Sequence, residues 1–150
     1  MIDCIIFDID GTIANLDHRL HFIKQKPKDW PSFKSLAYLD TPIEPLVYVA
    51  KALHYCGSMD GTDIVFCSGR NLDSFDVTSD WIEQHLGIKK ATLFMRAKDD
   101  YRDDAIVKRE LLKEIRKVWN PILVFDDRQR VVDMWRSEGL ICCQVAQGDF

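Results

Sequence analysis

Ile2-Asp3-Cys4-Ile5-Ile6-Phe7-Asp8-Ile9-Asp10-Gly11-Thr12 is the stretch that decides the fold. Its first six residues are nearly continuous apolar sequence. The next five carry two carboxylates, a glycine and a hydroxyl. A strand with little polar alternation is covered on both faces, which is how a parallel sheet reads. Polar groups directly behind such a strand stand where open α/β sheets bind ligands, beyond the carboxyl end. Four more short apolar runs repeat the pattern, at residues 63–67, 91–95, 122–125 and 140–146.

Helical stretches fill the gaps between the runs. Thr41-Pro42-Ile43-Glu44 reads as a capping box with proline at the first helical position. Ile43, Val47, Ala50 and His54 recur behind it at helical spacing until Gly57. Residues 73–86 read as a weaker helix closed by Gly87. Val107, Leu111, Ile115 and Val118 form an amphipathic stripe. Residues 128–138 place Val131, Val132, Met134 and Trp135 on a helix as core, with Gly139 behind it. The alternation predicts a Rossmann-like, doubly wound α/β domain with a mainly parallel five-stranded sheet, spanning residues 1–150 as a single domain. Residues 14–40 contain Pro27 and Pro31 and no clean period, so they read as a small insertion after the first strand.

Composition narrows the class. An apolar share of 47% and a charged share of 29% exclude a disordered tail, a collagen-like rod or a disulfide knot. Lys plus Arg is 20 and Asp plus Glu is 24, a net charge of −4, which excludes bulk-charge coating of nucleic acid but allows a local basic patch. The five cysteines include no C-x-x-C, and Cys4, Cys67, Cys142 and Cys143 lie in apolar runs. They read as reduced core thiols of a cytoplasmic protein rather than as disulfides or zinc ligands. His18, His21, His54 and His85 show no ligand spacing. No signal-peptide pattern precedes the first strand, and no apolar stretch nears the roughly 18 residues of a membrane span. A soluble protein without membrane contact is expected.

The chemistry gathers behind the strands. After the first come Asp8 and Asp10, after the second Ser68-Gly69-Arg70, and after the fourth Asp126-Asp127-Arg128; Arg102, Asp104 and Lys108 precede and open the helix before that fourth strand. Clustered carboxylates repel, and unpaired buried charges cost several kcal/mol, so a purely structural protein has no use for this convergence. Asp8, Asp126 and Asp127 offer hard oxygen ligands alone, a set that suits Mg²⁺. Ser68, Arg70 and Lys108 suit a tetrahedral oxyanion, with backbone N–H groups of Ser68 and Gly69 in support. A divalent ion, an anion pocket and a free carboxylate together fit phosphoryl transfer.

In this order, Asp8-x-Asp10-Gly11-Thr12, Ser68, Lys108 and Asp126-Asp127 resemble the four motifs of the haloacid dehalogenase (HAD) superfamily of phosphatases. Ser68-Gly69-Arg70, Arg102-x-Asp104-x-x-Val107-Lys108, Asp127-Arg128, Val132-x-Met134-Trp135-Arg136 and Gln144-Val145-Ala146-x-Gly148-Asp149-Phe150 narrow the resemblance to 3′-phosphatase domains of the phage polynucleotide kinase/phosphatase kind. The resemblance implies that Asp8 is the nucleophile and forms an aspartyl-phosphate. It implies that Asp10 is the general acid and base, and that Ser68 and Lys108 are catalytic. Mg²⁺ is then held by Asp8, the Asp10 carbonyl, Asp126 and Asp127. Ser68, Gly69, Arg70, Lys108, Arg19, Arg102 and Arg128 become the substrate-binding set. No G-x-x-x-x-G-K-[ST] occurs, so a kinase domain is not expected. The second acid, Asp10, argues against a dehalogenase.

Cap insertions set substrate size in this superfamily. Ser68 to Lys108 is filled by a helix, a strand and a loop, and the 14–40 insertion is too short for a full lid. An open site for a bulky nucleic-acid end follows. Between residues 18 and 39, Arg19, Lys24, Lys26, Lys28 and Lys34 face Asp29 alone, with Phe22, Trp30 and Phe33 interleaved. The aromatics either pack the insertion onto the core or stack on bases while the cations track a backbone. Lys89, Lys90, Arg96 and Lys98 form a second basic stretch. The expectation is a Mg²⁺-dependent phosphatase that removes 3′-phosphates from DNA or RNA ends, with a kinase or ligase as repair partner. The alternatives are a nucleoside monophosphate phosphatase and an idle module that binds nucleic-acid ends.

Overall fold

The computed structural model describes residues 1–148. Five parallel strands form one sheet in the order β5-β4-β1-β6-β7, where β1 is Ile2–Phe7, β4 Asp63–Asn71, β5 Thr92–Arg96, β6 Trp119–Asp126 and β7 Cys142–Gln144. Two further two-residue strands, β2 (Ala14–Asn15) and β3 (Thr41–Pro42), pair antiparallel and clamp the two ends of the insertion together. Inside the insertion lie α1 (His21–Lys24) and α2 (Trp30–Ser35). The larger helices are α3 (Glu44–Asp60), α4 (Phe75–Leu86), α5 (Asp104–Ile115) and α6 (Gln129–Ser137).

The strand period sorts the core into two layers. Ile5 and Phe7 of β1 and Ile64 and Phe66 of β4 face one side, with Val47 and Ala50 of α3 and Trp81, Ile82 and Leu86 of α4. Cys4 and Ile6, with Val65 and Cys67, face the other, against Leu112 and Ile115 of α5 and Val131, Val132 and Trp135 of α6. Phe7 stands in register with Phe66 on one side and Phe125 on the other, and its ring stacks on Phe125 at 4.6 Å between centroids. Three phenylalanines thus make a dry floor one residue below Asp8 and Asp126. Strand β1 lies between the strands reached by the outgoing and returning chain, so its carboxyl end opens into the switch-point crevice.

Several local expectations are corrected. Thr41 and Pro42 are in a β ladder and not a capping box; α3 starts at Glu44, its N-cap Ile43 lends no side chain, and Pro45 falls in the first turn. Gly57 does not end α3. It is buried against the Thr62 carbonyl, which any side chain there would overlap, and Gly61, at φ +85°, takes the left-handed cap. Val118 falls beyond α5 and is exposed, while Leu112 fills the position against the sheet. Strand β7 is shorter than the 140–146 run, and its edge position leaves Cys143 exposed. The last two residues of the closing motif, Asp149 and Phe150, lie outside the described residues. Among the described residues no helix is long and apolar enough to cross a membrane.

Burial separates the thiols. It pushes Cys4 and Cys142 up to about 12 and Cys67 higher still, while Cys56 and Cys143 are exposed. A disulfide-exchange reagent at pH 8 is therefore expected to modify two thiols of the native protein and all five in guanidinium. A third thiol reacting at the native rate would contradict the strand placement.

Candidate active site

Lys108 is the centre of the site. It stands on the second turn of α5, and its side chain is only 1% exposed. Its ammonium donates to Asp8 Oδ1 at 2.6 Å and to Asp126 Oδ2 at 2.9 Å. Burial alone would lower its pKa, but the charges of Asp126 and Asp8 reverse this and hold it well above the usual lysine range. Asp8 is bound on its other oxygen by Thr12, whose Oγ1 donates to Oδ2 at 3.0 Å. Asp126 takes Trp135 Nε1 at 3.0 Å on Oδ2 and the backbone N–H of Asp127 at 2.9 Å on Oδ1. Trp135, read from sequence as core alone, also fixes a carboxylate.

Asp8, Asp126 and Asp127 each turn a carboxylate oxygen to within 4.8 Å of the others. Burial and then the Asp126 charge push both Asp8 and Asp127 above the ordinary carboxylate range, with Lys108 opposing. One lysine thus does not neutralise three acids. Oxygen donors at this separation, with a surplus of negative charge, fit a hard divalent ion such as Mg²⁺. Gly11 makes the approach possible. Its φ is +82°, and a methyl at its Cα would overlap the Asp127 carboxylate.

Asp10 points to a second group of charges. Arg70 donates from Nε to its Oδ1 at 3.0 Å and from Nη2 to the same oxygen at 2.5 Å. Burial would raise the Asp10 carboxyl, but Arg70, Arg19 and Lys108 outweigh it and hold the group below the usual range. Behind Arg70 lies Asp40, a buried carboxylate that sequence reading missed. It accepts Arg70 Nη2 at 2.8 Å, Arg19 Nε at 2.7 Å, Arg19 Nη2 at 2.6 Å and His18 Nε2 at 2.8 Å. Its carbonyl takes Trp81 Nε1 at 2.7 Å, which pins the end of the insertion to α4.

The remaining expected residues divide. Ser68 is buried in β4 where its register with β5 shifts, and its Oγ accepts the Arg70 N–H at 3.1 Å. Gly69 leaves room for Asp104, whose carboxylate would meet any side chain there. Arg96 is no part of a basic surface. It turns inward, donating to the Gly69 carbonyl at 2.9 Å and to Asp104 at 3.0 Å, and so ties β5 to the Ser68 loop. Arg19 is buried on Asp40, with its guanidinium 3.5 Å from Asp10. Arg70 likewise holds acids rather than an open anion pocket. Arg102 is held at the surface by Asp100 and Glu110, at 2.7 Å each. Arg128 caps the start of α6, with its N–H on Asp126 and its side chain 3.7 Å from Asp104.

A Rossmann-like sheet with this acid cluster at the end of its first strand defines a phosphatase of the HAD type. Residues 2–150 match the family model of the polynucleotide kinase PNKP phosphatase domain, and the chain belongs to that family. A protein of Autographa californica nuclear polyhedrosis virus, assigned as a bifunctional polynucleotide kinase/RNA ligase, is 34% identical over 89% of this chain and 18% of its own length. A chain of the Pnkp1/Rnl/Hen1 complex superposes with a TM-score of 0.80 at 32% identity, covering all of this chain and 47% of that one. A HAD-like hydrolase of Streptococcus pneumoniae shares the fold, with a TM-score of 0.61 at 11% identity over 95% of this chain and 84% of its own. This chain therefore spans less than half the length of the viral relative and of the Pnkp1/Rnl/Hen1 chain.

A cation that binds the folded chain alone stabilises it by mass action, about 2.7 kcal/mol at a hundred times Kd. Saturating Mg²⁺ is expected to raise Tm by several degrees in calorimetry. Asp127→Asn is expected to remove most of that rise. An equal rise in the variant would contradict the assignment of the acid cluster.

Proposed function

We propose that this chain is a Mg²⁺-dependent polynucleotide 3′-phosphatase working through an aspartyl-phosphate on Asp8. One observation carries the reading. Asp8 is held on Oδ1 by Lys108 and on Oδ2 by Thr12, at the mouth of the sheet, with the second acid Asp10 two residues on. A carboxylate fixed in this way has a set direction of attack, which replaces the entropy loss of an encounter in solution. Asp8, Asp126, Asp127 and the Asp10 carbonyl would hold the ion. Once bound, it supplies positive charge that offsets repulsion between carboxylate and phosphate.

In the first step an Asp8 oxygen forms a bond to phosphorus and the bond to the sugar oxygen breaks. At rest Arg70 and Arg19 hold Asp10 ionised, so Asp10 first takes up a proton, carried in by the phosphate monoanion or by water, and then gives it to that leaving oxygen. In the second step Asp10 takes a proton from water, and the water oxygen displaces Asp8. Lys108 and Ser68 steady the phosphoryl oxygens throughout. Arg70 and Arg19, themselves held by Asp40, keep the Asp10 carboxyl beside the reacting bond. The family, the viral relative's assigned kinase/ligase activities and the RNA-repair setting of a structural neighbour support a nucleic-acid end as substrate and a kinase or ligase as partner. The small insertion, with no full lid, supports an open approach.

Phosphate release from a 3′-phosphorylated oligonucleotide is expected to exceed release from 3′- and 5′-mononucleotides and from a 5′-phosphorylated oligonucleotide. Preference for mononucleotides would overturn the substrate assignment. Asp8→Asn is expected to abolish release, and Asp10→Asn to lower it about 10²–10⁴-fold. Unchanged turnover in Asp8→Asn would overturn the mechanism.

A further inference from the structure

The structure assigns Trp30 as a residue that stacks on a base of the strand bearing the 3′-phosphate, a proposal that rests on the polynucleotide reading above. A chain of contacts leads from the general acid to this indole. Arg19 Nη2 lies 3.5 Å from Asp10, and the Arg19 guanidinium sits 4.1 Å above the centre of the Phe33 ring. Trp30 then meets Phe33 edge-on at 5.8 Å between centroids. Two side chains, Arg19 and Phe33, therefore link the indole to Asp10.

The three aromatic readings of the insertion now separate. Phe33 is packed under Arg19 and is half-buried, and Phe22 is half-buried against His21. Trp30 alone of the three is exposed, at 47%. An indole left half in water beside a packed phenylalanine gives up burial that the fold could have used. Its backbone is nevertheless fixed. Asp29 caps α2 by accepting the Ser32 N–H at 3.0 Å and the Ser32 hydroxyl at 2.6 Å, and Pro31 occupies the first turn. A rigid exposed aromatic is a stacking platform, and every base has a face to offer it.

The charges around it suit a nucleic-acid strand. Lys28 Nζ stands over one face of the Trp30 ring, 5.6 Å from its centre, where it can pair with a phosphate of a strand stacked on the indole. Lys24, Lys26 and Lys28 are exposed and form no ion pair among the described residues. Lys34 of α2 and Lys98 share Asp73 at 3.6 and 3.8 Å, two cations on one acid. Base stacking is worth about 1–3 kcal/mol per base, roughly 5- to 150-fold in affinity.

The test compares kcat/KM on 3′-phosphorylated single-stranded DNA and RNA decamers with kcat/KM on p-nitrophenyl phosphate, which has no base. Trp30→Ala is expected to lower the decamer-to-nitrophenyl ratio about 10-fold, chiefly through the decamer KM. Trp30→Phe is expected to restore most of the ratio. A proportional fall on both substrates would overturn the proposal, because it would mean that Trp30 only supports Phe33 and Arg19. An unchanged ratio would overturn it too. If the unaltered protein hydrolyses nitrophenyl phosphate but no decamer, the polynucleotide reading fails first and takes this assignment with it.

Discussion

The ammonium of Lys108, buried between Asp8 and Asp126, is the interaction on which the structure depends. Burying three carboxylates without it would set like charges against one another in a dry crevice above three phenylalanine rings. Breaking a buried pair by removing one partner costs roughly 3–5 kcal/mol. The lysine meets part of the charge, not all of it, and the shortfall defines the site. Asp8 and Asp127 stay above the ordinary carboxylate range, so the cluster gains when a divalent ion arrives. Fold and chemistry meet here, because α5 packs on β4 and β5 through the same face that sends Lys108 toward β1 and β6.

A second buried charge system holds Asp10, the general acid of the proposed mechanism. Asp40 binds Arg19, Arg70 and His18 at once, and both arginines also reach Asp10. The insertion from β2 to β3 is therefore more than a decoration. It delivers Arg19 and Asp40 from opposite ends, 21 residues apart in sequence, into one ion-paired knot. The knot places Asp10 and carries Phe33 and Trp30 on its outer side. The residues that position Asp10 and the exposed indole proposed to meet substrate thus come from one segment.

The five apolar runs were legible as parallel strands because each is short, nearly unbroken and followed by polar residues. Their ends fixed where Asp8, Ser68 and Asp126 would meet. Thr41-Pro42 misled, because its local signal is that of a helix cap, while the ladder with Ala14–Asn15 depends on residues far away in sequence. Asp40 was invisible for the same reason. Nothing beside it announces burial, and its partners lie 21, 22 and 30 residues distant. Arg96 and Arg102 carry the same charge and lie six residues apart, yet one turns inward to Asp104 and the other is held at the surface by Asp100 and Glu110. Side-chain direction at a loop is set by the neighbours it finds in space, which a linear pattern does not encode.

The claim that Asp8 is the group covalently loaded is tested most directly by trapping. The protein is mixed with a 3′-phosphorylated oligonucleotide and Mg²⁺, quenched in acid during turnover and reduced with borohydride, which converts an acyl phosphate to an alcohol. Peptide mass spectrometry is predicted to find homoserine in place of aspartate at position 8 and at no other acid. Reduction at another acid, or an intact Asp8 in protein quenched during active turnover, would contradict the account.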